Sequence, residues 1–180
     1  FNGTIGIPGP SVDIIVVNEN NEPVGYNQAG DMCIKGPNVM SGYFNKDNTN
    51  DFTKDGYFRT GDIVSMDEKG YITLLDRKKD MVLVSGFNVF PNEIESVMLD
   101  CKGIVECAVI GIPDDHQGEA VKIYIVPADN NVTKSDIKEF AIDNLTGYKC
   151  SRHIEFVSEL PKSNVGKILR QKLREKHMLD

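Results

Sequence analysis

The run Pro161 to Arg170, PKSNVGKILR, sets one lysine, Lys167, directly after a glycine at the start of a predicted helix. Pro161 stiffens the approach, Gly166 removes side-chain bulk, and Ile168 and Leu169 supply apolar anchors for the helix that follows. A lysine held in this way delivers a positive charge into a neighbouring cleft, where an anionic group would be stabilised electrostatically. The plain alternative is a solvated lysine on a basic helix, because Arg170, Lys172, Arg174 and Lys176 follow. Short glycine-lysine runs are too common to choose between the two.

Two further runs bear on the choice. One is YFRTGDIV, Tyr57 to Val64, and the other is DRKKDMVLVSGFNVFPNEIE, Asp76 to Glu95. Taken alone, Thr60-Gly61-Asp62 reads as an Asx-type turn closing a hairpin. Gly86, after the apolar run Met81 to Ser85, reads as a strand turn, a bulge or a point of close approach.

Composition narrows the function classes. A 180-residue chain fits one domain or two small ones. Its net charge of −7 argues against a general nucleic-acid binder, whose footprint is a basic surface. Four cysteines, Cys33, Cys101, Cys107 and Cys150, form no CxxC pair and have no histidine at ligand spacing. That pattern argues against a zinc site and fits a reduced, cytosolic compartment better than a disulfide framework. His116, His153 and His177 are far apart, and no nucleophile with a supporting pattern accompanies them. No apolar run approaches the ~20 residues needed to span a bilayer. The opening FNGTIGIPGP is loop-like and lacks an initial methionine, as expected of a piece of something longer or of a processed terminus.

The elements that must position these residues can be outlined from periodicity. To about Gly70 the chain reads as β structure, with strands at Val12–Val17 and Asp31–Lys35 and turn chemistry at Asn20-Asn21, Gly30-Asp31, Lys35-Gly36-Pro37 and Asp55-Gly56. Strands at Tyr71–Leu75 and Met81–Val84 flank a charged turn, Asp76 to Asp80, which has the composition of an exposed linker. Pro91 opens a helix with Ile94, Val97 and Met98 as its apolar stripe. Glu93 and Glu95 suit that helix start and local ion pairs rather than catalysis. Strands follow at Ile104–Ile112 and Ala120–Val126, the second turning Val121, Ile123 and Ile125 inward. Thr133 with Asp136 caps a helix whose apolar face is Ile137, Phe140, Ala141 and Leu145. A last strand, Ile154–Val157, precedes the lysine loop and the terminal helix. The alternation of strands and helices predicts a layered α+β domain.

In this order and at these separations, the three runs closely resemble the carboxyl-terminal motifs of the adenylate-forming enzymes. That superfamily includes acyl-CoA synthetases, firefly luciferase and nonribosomal-peptide adenylation domains. The KKDMVLVSGFNVFPNEIE form resembles the bacterial long-chain fatty-acid–CoA ligases most, and the resemblance covers essentially the whole chain. It implies an α+β fold in two parts. Residues 1–78 would be the β-rich end of a large ATP- and fatty-acid-binding domain, and residues 79–180 a small mobile domain carrying the catalytic lysine.

Residue by residue, the resemblance implies that Lys167 is catalytic and that Thr60, Asp62 and Arg77 bind ATP or AMP. The Asp62 carboxylate would accept hydrogen bonds from both ribose hydroxyls, and the Arg77 guanidinium suits a polydentate anionic or hydroxylated partner. Lys79 matches the hinge about which the small domain swings; many relatives carry aspartate there, so its charge is not what matters. Gly86 would lie beside the tunnel for the coenzyme A pantetheine. The implied substrates are a fatty acid, ATP with Mg2+, and coenzyme A, with no protein-bound metal and no nucleic-acid partner. The implied location is cytoplasmic, with a peripheral contact on the inner face of the inner membrane. No TSGTTG-like phosphate loop occurs, so one is expected upstream of Phe1, and residues 1–180 by themselves are expected not to make acyl-CoA. Two alternatives are an adenylation domain loading an amino or aryl acid onto a carrier protein, and a non-enzymatic module docking through its basic terminal helix.

Overall fold

Turn residues cut the first part of the chain into four antiparallel strands. In the computed structural model, which describes residues 3–129 and 131–179, these are β1 (Asp13–Val17), β2 (Gly30–Lys35), β3 (Phe58–Met66) and β4 (Ile72–Arg77), lying side by side in chain order. Phe1, Asn2, Asn130 and Asp180 lie outside the described residues. The chain divides into two compact units, Phe1–Lys79 and Asp80–Asp180. Alternate residues Val16, Met32, Val64 and Ile72 pack together as the small core of the first unit.

β3 is a strand that the sequence pattern hides. Its pairing with β2 jumps from Asp31↔Ile63 to Cys33↔Arg59, so Thr60, Gly61 and Asp62 bulge from the ladder. The segment 76–80 also departs from an exposed linker. β4 continues through Arg77, a short 3-10 turn covers Lys78–Asp80, and both Asp76 and Asp80 are buried. The buried Asp76 carboxylate accepts the Arg77 N–H at 2.7 Å, and Lys78 sits 2.5 Å from Asp31.

The second unit opens with a tight hairpin, β5 (Val82–Val84) and β6 (Phe87–Val89). Helix α1 (Pro91–Leu99) starts with proline at its first position. The long strands β7 (Ile104–Asp114) and β8 (Gly118–Pro127) pair along their whole length. On the opposite edge of β8 lie the β5 end at Gly118 and the parallel strand β9 (His153–Phe156). Helix α2 (Lys134–Asn144) begins with the Thr133–Asp136 capping box that the sequence implies, and α3 (Arg170–Leu179) ends the described chain.

Only one face of β8 reads as inward from the sequence, but both are covered. Val121, Ile123 and Ile125 join Cys107 and Val109 against Ile94 and Met98 of α1 and Ile137 and Ala141 of α2. The intervening residues Ala108, Ile110, Ala120 and Tyr124 pack with Leu160 and Leu173, so α3 covers the other face. Ile94 is fully buried in the first of these layers. Ile94→Ala should therefore cost about 2–5 kcal/mol, against about 1 kcal/mol for loss of the cap in Thr133→Ala. Urea denaturation of the chain checks the order; equal losses would mean that α1 does not anchor this layer.

Candidate active site

The bulge in β3 assembles the first cluster. Thr60 turns its hydroxyl inward to donate to the Met32 carbonyl at 3.0 Å, and the same oxygen accepts the Asp62 N–H at 3.1 Å. Gly61 between them has φ +72°, and a Cβ built there would meet nothing within 4 Å, so the backbone stands open to solvent or ligand. Asp62 pairs in register with Arg77 of β4, and Arg77 Nε lies 2.9 Å from the Asp62 carboxylate. Arg77 also donates to the Thr60 carbonyl at 3.4 Å. Three of the sequence-predicted site residues, Thr60, Asp62 and Arg77, thus converge on one strand pair. A carboxylate has about four lone-pair sites, so a single Arg77 N–H leaves Asp62 with acceptor capacity for hydroxyls. Lys79, in the 3-10 turn that ends this unit, is exposed.

Lys167 belongs to the second unit and is not at the helix start. Residues 163–166 form a tight turn closed by Gly166 N–H to Ser163 O at 2.9 Å, with Gly166 at φ +79°. Lys162 and Ile168 pair across it, and α3 begins only at Arg170. The glycine therefore turns a small hairpin and does not merely thin the approach to the helix. Ser163 N–H donates to the Lys167 carbonyl at 2.8 Å, and the Lys167 N–H donates to the Ser163 hydroxyl at 3.2 Å. The Lys167 backbone is fixed while its residue stays exposed. An ion pair between Lys162 and Glu106 ties the hairpin to the start of β7.

Gly86 sits at the other end of the same sheet. Ser85 (φ +51°) and Gly86 (φ +84°) are the two central residues of the β5–β6 turn, in the left-handed region that such hairpins use. Ser85 N–H donates to the Gln117 carbonyl, beside the β7–β8 turn. Glu106 and Asp114 are eight residues apart along β7, so at ~3.3 Å per residue the anchors of the two candidate loops are roughly 25 Å apart.

One cluster was not legible beforehand. The Arg170 guanidinium reaches both oxygens of Glu95, at 3.2 and 2.7 Å, and Asn92 at 2.7 Å. It also lies 3.6 Å from Asp80, whose other oxygen takes Arg174 at 2.7 Å. Glu93 pairs with Lys149 at 2.6 Å, so both glutamates of α1 serve ion pairs, but with partners distant in sequence rather than local ones. The only sequence signal for the larger cluster is the spacing of Arg170 and Arg174, which places them on one helix face. The same cluster weighs against a basic docking helix. Leu173 is buried, Arg170 and Arg174 face carboxylates, and Lys176 reaches Glu155 at 2.6 Å.

None of the four thiols is poised for chemistry. Burial pushes Cys107 up to about 12, helped by the neighbouring Glu95 carboxylate, and burial likewise raises Cys33, Cys101 and Cys150. Among the described residues no group of three or more His, Cys, Asp or Glu could hold a metal ion, and no helix is long and apolar enough to cross a membrane.

Comparison with known proteins gives this arrangement a family. The AMP-binding enzyme family matches residues 1–44, and the AMP-binding enzyme C-terminal domain matches residues 93–167. A long-chain-fatty-acid–CoA ligase of Salmonella typhimurium is 49% identical over 96% of the chain. The chain belongs to the AMP-binding enzymes. It is also similar to a feruloyl-CoA synthase of an Amycolatopsis species, 35% identical over 97% of the chain. Among solved structures, ATP-bound MatB from Rhodopseudomonas palustris superposes with a TM-score of 0.92 over 97% of the chain, at 34% identity. The chain spans about a third of each: 31% of the Salmonella protein, 36% of the Amycolatopsis protein and 36% of the MatB chain.

Backbone geometry alone makes Gly86 sensitive. Space is open around it, with nothing within 4 Å of a built Cβ, but φ +84° strains any β-branched residue. Gly86→Val should cost about 1–2 kcal/mol, and Gly86→Asn distinctly less because asparagine enters that region more readily. Denaturation midpoints of the two variants check this, and equal losses would point to a steric rather than a torsional constraint.

Proposed function

We propose that these residues serve a long-chain fatty-acid–CoA ligase that works in two steps. A fatty carboxylate attacks the α-phosphate of ATP, giving acyl-adenylate and pyrophosphate. Coenzyme A then displaces AMP through its thiol, giving the thioester. ATP enters with Mg2+ as its counter-ion, part of the substrate rather than a resident metal.

Asp62 holds the ribose through its carboxylate, Arg77 orients that carboxylate and contacts the nucleotide, and Thr60 fixes the bulge between them. The open backbone at Gly61 supports this fit, since no side chain occupies the space where a ribose would approach. Lys167 contacts the reacting carboxylate and phosphate oxygens in the first step. A preorganised cation there is worth roughly 3–4 kcal/mol of barrier. Gly86 borders the passage for the pantetheine arm in the second step.

The observation that carries this reading is the placement of Lys167 and Gly86 at opposite ends of the β7–β8 ladder. One small domain that presents its two ends in turn can serve two half-reactions, with Lys79 as the hinge. The names carried by the similar proteins, a fatty-acid–CoA ligase and a feruloyl-CoA synthase, favour coenzyme A over a carrier protein as the acyl acceptor.

Lys167→Ala in the complete ligase should cut adenylate formation by about 10²–10³-fold while sparing thioester formation from preformed acyl-adenylate. Pyrophosphate release and thioester formation, measured separately, decide this; equal loss in both steps would remove Lys167 from the role. Lys79→Pro fixes φ near −65° and should abolish one half-reaction while the melting transition survives. Normal turnover in that variant would place the hinge elsewhere.

A further inference from the structure

A cation at the first position of a helix is badly placed, because the helix dipole is positive there. Arg170 opens α3 in that position and its side chain is only 15% exposed. The compensation is specific. Its Nε and one terminal nitrogen fork onto Glu95, which is itself fixed because the same Oε1 accepts the Val109 N–H of β7 at 2.8 Å. The remaining terminal nitrogen faces Asp80, 10% exposed, at 3.6 Å, and Arg174 one turn later holds the other Asp80 oxygen at 2.7 Å. Two arginines thus meet two carboxylates drawn from the unit's first residue and from α1.

The chain leaves little slack between this anchor and Lys167. Leu169 N–H donates to the Pro161 carbonyl at 2.8 Å, Ile168 pairs with Lys162, and Lys167 is bonded to Ser163 through both its N–H and its carbonyl. Two residues of this hydrogen-bonded backbone thus separate Lys167 from the anchored Arg170. Asp80 follows Lys79 directly, so the residue next to the proposed hinge is bound into the same cluster.

We propose that Arg170 is a positioning residue for Lys167, holding the lysine hairpin, the start of α3 and the hinge-adjacent Asp80 in one geometry through its bonds to Glu95 and Asp80. The proposal rests on the reading of Lys167 as the adenylation lysine. Lysine cannot replace Arg170, because a single ammonium keeps the charge but not the planar fork.

The test is a double-mutant cycle in the complete ligase, with the two half-reactions assayed separately. Arg170→Lys should lower kcat for adenylate formation by roughly ten- to a hundredfold, the range expected from an ångström-scale misplacement. KM for ATP and thioester formation from preformed acyl-adenylate should stay within about twofold. Combining Arg170→Lys with Lys167→Ala should add almost nothing to the loss from Lys167→Ala, since one acts through the other. Additive losses, or parallel loss in both half-reactions, would overturn the proposal. Normal adenylation by Arg170→Lys where Lys167→Ala is crippled overturns it alone, whereas normal adenylation by Lys167→Ala removes the underlying reading as well. Should Arg170→Lys lose its melting transition, Glu95→Gln, which keeps side-chain volume and one acceptor, must show the same selective loss; normal adenylation in that variant also overturns the proposal.

Discussion

Neither face of the β7–β8 ladder can be left to water. Residues 107 to 110 of β7, Cys-Ala-Val-Ile, are all buried, as are residues 120 to 125 of β8, which include Lys122. Burial on both faces requires helices on both sides, and α1 with α2 on one side and α3 on the other meets that requirement. Because β9 runs parallel to β8, the chain leaves it at the Pro127 end and must turn back to lay α3 across the sheet. The hairpin bearing Lys167 is that turn. Its place at this end of the sheet follows from the demand for cover.

Lys122 shows how the same constraint treats a polar residue. It points to the α3 side of β8 and is 8% exposed. Burial by itself would lower its pKa, but hydrogen bonds to Glu155 and contact with Tyr124 leave it raised. Lys176 of α3 reaches the same Glu155. The helix is thus fastened by charges as well as by Leu173, at both its first turn and its last. The first unit works on a different plan. Its candidate nucleotide contacts depend on a strand bulge, where Gly61 lets the backbone leave the ladder and return with Asp62 in register against Arg77.

How far this was legible in the sequence depended on the range of the interactions involved. The capping box at Thr133 and Asp136, the proline start of α1 and the strands β7 and β8 are local patterns, and each appears within a few residues of its expected bounds. β3 was hidden because the bulge at 60–62 breaks its period of two, and β6 because three residues with two exposed carry no pattern. Sequence pattern sets Lys167 at the helix start, three residues too close, because the positive φ of Gly166 closes a hairpin that periodicity cannot register. Thr60, Asp62 and Arg77 stand out in the sequence only through a family resemblance, and their convergence depends on the pairing of β3 with β4. Burial of Asp80 was out of reach for another reason. Its partners, Arg170 and Arg174, lie at the far end of the chain, and nothing local distinguishes a buried aspartate from a solvated one in a run of charges.

The four thiols have a consequence for a protein proposed to pass an activated acyl group to a thiol. An acyl-adenylate is an electrophile, and a thiolate is the form of sulfur that attacks it. Cys107 is held protonated far above neutral pH, and burial raises the other three cysteines as well. No sulfur in the described chain is therefore activated to intercept the mixed anhydride before the incoming substrate does. Sulfur in these residues thus serves as apolar filling, held in its neutral form by the same burial that builds the core.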